Sequence, residues 1–337
     1  MGTVDIQRRE VIIKTPISWV GNKTSILPIL YATFPLNYER YIEPFGGSGA
    51  VLLGKEKPDK FEVYNDFNSD LVNLFRCMRE RPIALIKELG LYPLNSRDDF
   101  KVLKMFFERE TFTDMFIEQE LKLTQIILPE PCSAEIIELQ KRLKSDYDVR
   151  RAAMFLKLLR YSYSSTGKSF ACQPFSIYSL FTLMEKVSIR LANVVIENQD
   201  FETLIKHYDR TDAFIYCDPP YVDTEHFYKG GFNMDDHIRL RDTLYGINGK
   251  FLVSYNDCET TRELYKGCDI IGFTRVHSMV QKYEAGKEFH ELLIANYDIM
   301  ERERNQPYQL NFFESGDKAE VSNLLKGSVV YHGRNIT

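Results

Sequence analysis

The chain has 337 residues, 44% hydrophobic and 27% charged, a balance that supports a folded core and excludes wholesale disorder. It is longer than one ordinary domain of about 100–200 residues, which predicts two lobes or one lobe with a large insertion. The net charge of −5, taken as an average, argues against a nucleic-acid partner. No apolar run approaches the ~18 residues of a membrane span. Arg8 and Arg9 are followed only by Val11-Ile12-Ile13, which is no secretory core. Six cysteines without a CxxC pair predict reduced thiols in a cytoplasmic protein, and the six histidines show no metal-site spacing.

From Tyr41 the sequence alternates in the α/β manner. Tyr41-Ile42-Glu43 reads as a strand entering a glycine turn, and Ala50 to Lys55 as the helix that follows. Phe61 to Asn65 is a second strand, and Leu71, Leu74, Phe75 and Met78 mark one face of a helix from Ser69. From about Leu85 to Leu183 the apolar spacing is mostly helical, broken at Pro129 and Pro131 and again by the polar, hairpin-like stretch Tyr161 to Phe170. Strand-like runs return at 194–196, 213–217, 251–255, 270–276 and 292–297, most of them separated by helical stretches. The run Glu301 to Pro307 reads as a linker into a tail.

Pro44-Phe45-Gly46-Gly47-Ser48-Gly49 lies at a strand-to-helix junction, where glycines let the backbone approach a ligand. Leu52 stands where a dinucleotide fingerprint has its third glycine, which argues against a nicotinamide or flavin. Asp66, twenty residues beyond Gly46 at the end of the next strand, is placed to take the ribose hydroxyls of a nucleoside.

Tyr216-Cys217-Asp218-Pro219-Pro220-Tyr221 closes an apolar strand, and its two prolines remove two donors and fix φ twice. The corner offers two acceptors, the Asp218 carboxylate and the Pro219 carbonyl, with Tyr221 as a flat face beside them. Acceptors on both N–H groups of a nucleobase amine favour a pyramidal, nucleophilic nitrogen. Strand alternation turns Cys217 away from Asp218, which predicts a core residue and no thiol nucleophile.

Trp19-Val20-Gly21-Asn22-Lys23, the glycine turn and Asp218-Pro219-Pro220-Tyr221, in that order around a helical insertion, resemble the Dam-type family of DNA N6-adenine methyltransferases. Tyr64-Asn65-Asp66, Asn198 to Phe201, Gly249 to Tyr255 and Arg275 to Tyr297 support the likeness, which covers roughly residues 12–300. Asn22 stands where the family's Trp-x-Gly-Gly-Lys has its second glycine, and Ser18 where relatives often carry a basic residue. Asp-Pro-Pro-Tyr alone also resembles RNA guanine methyltransferases.

The resemblance implies a Rossmann-like α/β sheet with helices on both faces and an S-adenosylmethionine site. Trp19 and Lys23 would flank the methionine end, Phe45, Gly46, Gly47, Ser48 and Gly49 would line the cofactor, and Asp66 would take its ribose. Asp200 and Phe201 would hold its adenine, and Asp218, Pro219, Pro220 and Tyr221 would form the catalytic element around a flipped adenine. The implied segments are 12–84 and 184–300 for the catalytic domain, 85–183 for a helical target-recognition insertion with a hairpin near 160–170, and 301–337 for the tail. The same chemistry on cytosine N4 or on RNA, and a non-catalytic DNA-binding regulator, are the alternatives.

Mapped along the chain, the charge divides. Residues 141–170 carry eight basic against two acidic side chains, a surplus of six that leaves −11 on the rest. Phosphate contacts are local, so this stretch predicts a double-stranded DNA footprint through Arg150, Arg151, Arg160, Tyr163, Ser165, Gly167 and Lys168. In the tail, Gln309-Leu310-Asn311-Phe312-Phe313 resembles the short peptide by which bacterial replication proteins dock on the sliding clamp. A terminal strand packing Leu310 and Phe312 on the body is the alternative.

Overall fold

A computed structural model of the chain describes residues 13–17, 19, 21–91, 96–108, 115–146, 148–162, 170–171, 177–222, 231–276, 288–305 and 330–331. They belong to two compact units: the described residues within 23–68 and from 193 onward form one, and those within 13–22 and 69–192 the other. Among the described residues no helix is long and apolar enough to cross a membrane.

The first unit is built on one mixed sheet of β1 (Arg40–Glu43), β2 (Phe61–Asn65), β3 (Val194–Glu197), β4 (Ala213–Cys217), β5 (Lys250–Asn256), β6 (Asp269–Val276), β7 (Glu288–Ala295) and the two-residue β8 (Val330–Tyr331). Its order is β3-β2-β1-β4-β5-β7-β6-β8. The first five strands in that order run parallel, and β7, β6 and β8 pair antiparallel. The expected α/β sheet is therefore present, and its order reverses between β1 and β4. In open α/β sheets, ligands bind beyond the carboxyl ends of the strands at such a reversal.

Side-chain alternation gives the sheet two different faces. On one, Phe34 packs its ring against Tyr41, Phe214 and Tyr216. On the other, Ile42, Val63, Ile215, Cys217, Val253 and Tyr255 form a core with Phe201, Leu204, Leu240 and Leu244, carried by the helices Phe201–Tyr208 and Met234–Tyr245. Cys217 is thus a core residue, as strand alternation predicts. The run expected as a linker starts instead as the helix Glu301–Asn305, because Arg302 donates to the carbonyls of Phe34 and Pro35 and fastens it to the body.

The second unit is helical. Its helix Val149–Tyr161 buries Ala152, Phe155, Leu156 and Leu159, and the Asp148 carboxylate caps its start by accepting from the Arg151 N–H. Asn73, on the helix Ser69–Glu80, exchanges two hydrogen bonds of 2.9 Å with the backbone of Asp148. That bracket draws Ser69–Glu80 into this unit, so its helical part begins at Ser69 where the apolar spacing placed it near Leu85. Ser162 pairs antiparallel with Phe170, and Ala171 N–H donates to the Tyr161 carbonyl at 2.7 Å, at the two ends of the stretch expected as a hairpin, whose residues 163–169 lie outside the described ones.

Candidate active site

Each parallel strand delivers one element of the site at its carboxyl end. After β1 the chain turns through Gly46, Gly47 and Gly49, the last two with φ of 50° and 67° that side chains rarely tolerate. Gly46 needs to be glycine for a different reason: the Tyr64 ring lies where its Cβ would stand, 2.6 Å from Cδ2. The Tyr64 hydroxyl donates to the Gly47 carbonyl at 2.7 Å, so the ring braces the turn from below.

At the end of β2, the Asp66 carboxylate accepts from the N–H of Gly47 at 2.9 Å and of Asn68 at 2.8 Å. It is joined to the glycine turn and retains lone pairs for further donors. Burial pushes its pKa up to about 6, against the pull of those two N–H groups. Beside it, Asn65 is 1% exposed and joins the ends of the two neighbouring strands. Its Nδ2 donates to the carbonyls of Pro44 (2.8 Å) and Gln199 (3.1 Å), and its Oδ1 accepts from the Gln199 N–H (2.8 Å).

Beyond β3, Asp200 caps the helix Phe201–Tyr208 through the Glu202 N–H and forms a bidentate pair with Arg239 at 2.7 and 2.9 Å. Partial burial works to raise the Asp200 pKa, but the Arg239 hydrogen bonds and charge outweigh it and hold the group below its ordinary value. Phe201 is buried, its ring 5.5 Å from Phe45 and 5.8 Å from Phe232, with the Arg239 guanidinium 4.2 Å from its centre. The carboxylate expected to meet a cofactor adenine is thus occupied within the protein, and Phe45 and Phe201 form an aromatic pair.

Beyond β4 comes Asp218. Its Oδ1 accepts from Lys23 Nζ at 2.7 Å and from Ser254 Oγ at 2.9 Å. Lys23 is only 4% exposed and sits 5.0 Å from the centre of the half-buried Tyr221 ring, while Pro219 and Pro220 are buried. A buried ammonium needs a partner, and Asp218 supplies it. Asn256, at the end of β5, donates to the Val222 carbonyl at 3.2 Å and so holds the residue next to Tyr221. Glu43, closing β1 at 2% exposure, has its pKa pushed up to about 8 by burial, against the Tyr41 hydroxyl and Lys55 and with the Asp218 charge adding to the rise.

Sequence reasoning gave no role to Asn65, Ser254, Asn256, Glu43 or Arg239, although Asn65 and Ser254 stand in stretches that carry the family resemblance. Lys23 was found through the family resemblance, and the structure joins it to Asp218 across 195 residues of chain.

Of the residues expected on DNA, Arg150, Arg151 and Arg160 are described, and each has a partner within the protein. In the helical unit, Arg150 pairs with Glu88 at 2.9 Å, Arg151 pairs with Asp70, and Arg160 donates to the Pro16 carbonyl at 2.5 Å. Lys157, in the same basic stretch, is buried, which pulls its pKa down to about 8 against the Glu88 charge. Much of the basic surplus therefore holds helices together. Trp19 belongs to this unit too, its ring 6.3 Å from Phe155. Tyr163, Ser165, Gly167 and Lys168, and the tail residues Gln309, Leu310, Phe312 and Phe313, lie outside the described residues.

The chain is 25% identical over 312 residues to a type II methyltransferase of Lactococcus lactis subsp. cremoris, covering 87% of this chain and 98% of that one. It is 26% identical to a type II methyltransferase of Methanocaldococcus jannaschii, over 85% of this chain and 99% of that one. A DNA adenine methylase of Haemophilus influenzae is 25% identical, with 82% and 91% covered. The family described as D12 class N6 adenine-specific DNA methyltransferase matches residues 19–284, which span both the glycine turn and the Asp218 corner. An adenine-specific DNA enzyme is thereby favoured over the cytosine, RNA and non-catalytic alternatives, and the chain belongs to the D12 class of N6 adenine-specific DNA methyltransferases.

Proposed function

We propose that the chain methylates the N6 amine of an adenine turned out of double-stranded DNA, with Asp218, Pro219, Pro220 and Tyr221 as the catalytic element. The observation that carries this reading is the corner after β4, where Lys23 and Ser254 hold one oxygen of Asp218. The other oxygen and the Pro219 carbonyl then accept the two amine N–H groups, and the Tyr221 ring stacks on the base. Rate acceleration comes from positioning and preorganised hydrogen bonding.

The donor set fits S-adenosylmethionine, which when bound supplies the methyl group on a sulfonium. The Asp66 carboxylate takes the ribose hydroxyls, the backbone from Phe45 to Gly49 lines the cofactor, and Lys23 flanks its methionine end. Because Asp200 is paired with Arg239, we assign the adenine of the cofactor to the apolar surface of Phe45 and Phe201, with Asp200 acting through Arg239.

DNA reading falls to the helical segment 85–183, through the stretch Tyr161 to Phe170 that carries Tyr163, Ser165, Gly167 and Lys168, with Arg150, Arg151 and Arg160 shaping the scaffold. A cytoplasmic location is supported by the unpaired spacing of the cysteines. Sliding-clamp docking through Gln309, Leu310, Phe312 and Phe313 is supported by the tail sequence alone.

Incubating unmethylated DNA with tritium-labelled S-adenosylmethionine, then digesting to nucleosides, tests the reading. The expected product is N6-methyladenine, with Asp218→Ala abolishing transfer while cofactor binding persists. Label on cytosine, or full activity in Asp218→Ala, overturns it.

A further inference from the structure

The register of β4 on β5 places Tyr216 opposite Leu252 and Cys217 opposite Val253. Continued by one residue, it brings Ser254 beside Asp218, on the sheet face that also carries Tyr216. Ser254 is fully buried, and its Oγ lies 2.9 Å from Asp218 Oδ1 and 3.2 Å from the Tyr216 hydroxyl. An ionised carboxylate only accepts, so the single Ser254 proton goes to Asp218. In the contact with Tyr216, therefore, the tyrosine donates. Burial, then the Asp218 charge, push the Tyr216 pKa well above its ordinary value, so that its proton stays on the oxygen.

Lys23 also donates to Oδ1. An ammonium on a flexible four-carbon stem supplies charge, whereas a short hydroxyl on a central strand supplies direction. Among the described residues, every donor to Asp218 engages Oδ1 and none engages Oδ2.

We propose that Ser254, held in turn by Tyr216, is a positioning residue that fixes the Asp218 carboxylate with Oδ1 saturated by protein donors and Oδ2 presented to the substrate amine. This rests on the reading that Asp218 receives the amine. The relay runs Tyr216 to Ser254 to Asp218, and its loss lets the carboxylate rotate without removing it.

The test uses the full chain and steady-state methylation of unmethylated DNA, with cofactor affinity by calorimetry and thermal melting measured beside it. Ser254→Ala lowers kcat by about tenfold, a hydrogen bond's worth, while both KM values and the cofactor Kd stay within about twofold. Ser254→Thr, which keeps the hydroxyl, recovers most of kcat. Tyr216→Phe lowers kcat alone but changes nothing further in the Ser254→Ala background, because its effect passes through Ser254.

Unchanged kcat in Ser254→Ala overturns the proposal. So does a loss shared equally by kcat, cofactor affinity and melting temperature, or an additive effect of the two substitutions. Activity persisting in Asp218→Ala refutes the underlying reading instead, and the two failures are thus separable.

Discussion

Asn65 is the most exposing place to perturb the site, because one buried side chain holds three backbone groups from two separate strand ends. Asn65→Ala removes those hydrogen bonds and leaves the carbonyls of Pro44 and Gln199 and the N–H of Gln199 without their partner. At about 1 kcal/mol net per bond, the loss is about 3 kcal/mol, with burial of the stranded groups adding to it. For a unit of this size that corresponds to a fall of about 6–12 °C in melting temperature. Asn65→Asp keeps the shape and the acceptor for Gln199 N–H but sets an oxygen against two carbonyls, so it destabilises comparably without creating a cavity. Both substitutions loosen the turn that carries Gly46 and, through Asp66, the place assigned to the ribose, so cofactor affinity falls with stability. Melting followed by circular dichroism and calorimetric titration of S-adenosylmethionine measure the two effects. If Asn65→Ala melts within about 1 °C of the parent chain and binds cofactor unchanged, the bracket is ornamental and the reasoning fails.

Asp66 predicts a pH signature. Its folded-state pKa of about 6 lies above the ordinary 3.8, so on its own the group favours the fold at low pH, and that contribution is lost as pH rises through about 6. Ligand binding runs in the opposite sense, since accepting ribose hydroxyls needs the ionised form. Cofactor affinity should be flat above about pH 7 and weaken toward tenfold per unit below about pH 6, while Asp66→Asn binds weakly with that pH step removed; a parent titration flat to about pH 5 refutes the assignment. Two glycines give opposite signs. Gly46→Ala drives a methyl into the Tyr64 ring and destabilises by about 1–3 kcal/mol or more, while Gly90→Ala, at an exposed position of the helix Pro82–Leu91 with nothing within 4 Å of the new Cβ, stabilises by about 0.5–1 kcal/mol. Melting temperatures that shift in the same direction for both count against the packing given for Gly46.

What could be read from the sequence was whatever chemistry is carried by neighbours in the chain. A glycine turn after a strand, an acid closing the next strand and a proline corner closing a third are local patterns, and βα geometry brings their carboxyl ends to one edge. What could not be read was partnership across the sheet. Ser254 is an unremarkable strand residue until the β4–β5 register sets it beside Asp218, 36 residues earlier. Asn65 looks like part of a short polar strand end, and only the parallel order β3-β2-β1 gives it two loops to join.

The basic stretch shows the same limit in reverse. A surplus of six charges between residues 141 and 170 is visible by counting, but whether a charge faces solvent depends on residues the count does not include. Arg150 finds Glu88 62 residues away, Arg151 finds Asp70 81 away, and Arg160 reaches a carbonyl 144 away. Each pairing satisfies a half-buried guanidinium that would otherwise destabilise the helix Val149–Tyr161, so it comes from packing and would be needed with or without DNA. Net charge by counting therefore does not distinguish these paired guanidiniums from charges that face solvent. Within the Tyr161 to Phe170 stretch, to which DNA reading is assigned in the proposed function, the basic side chain is Lys168. Charge reversal at Lys168 should accordingly weaken DNA binding and its salt dependence, whereas reversal at Arg151 should lower the melting temperature of the unit by breaking its pair with Asp70.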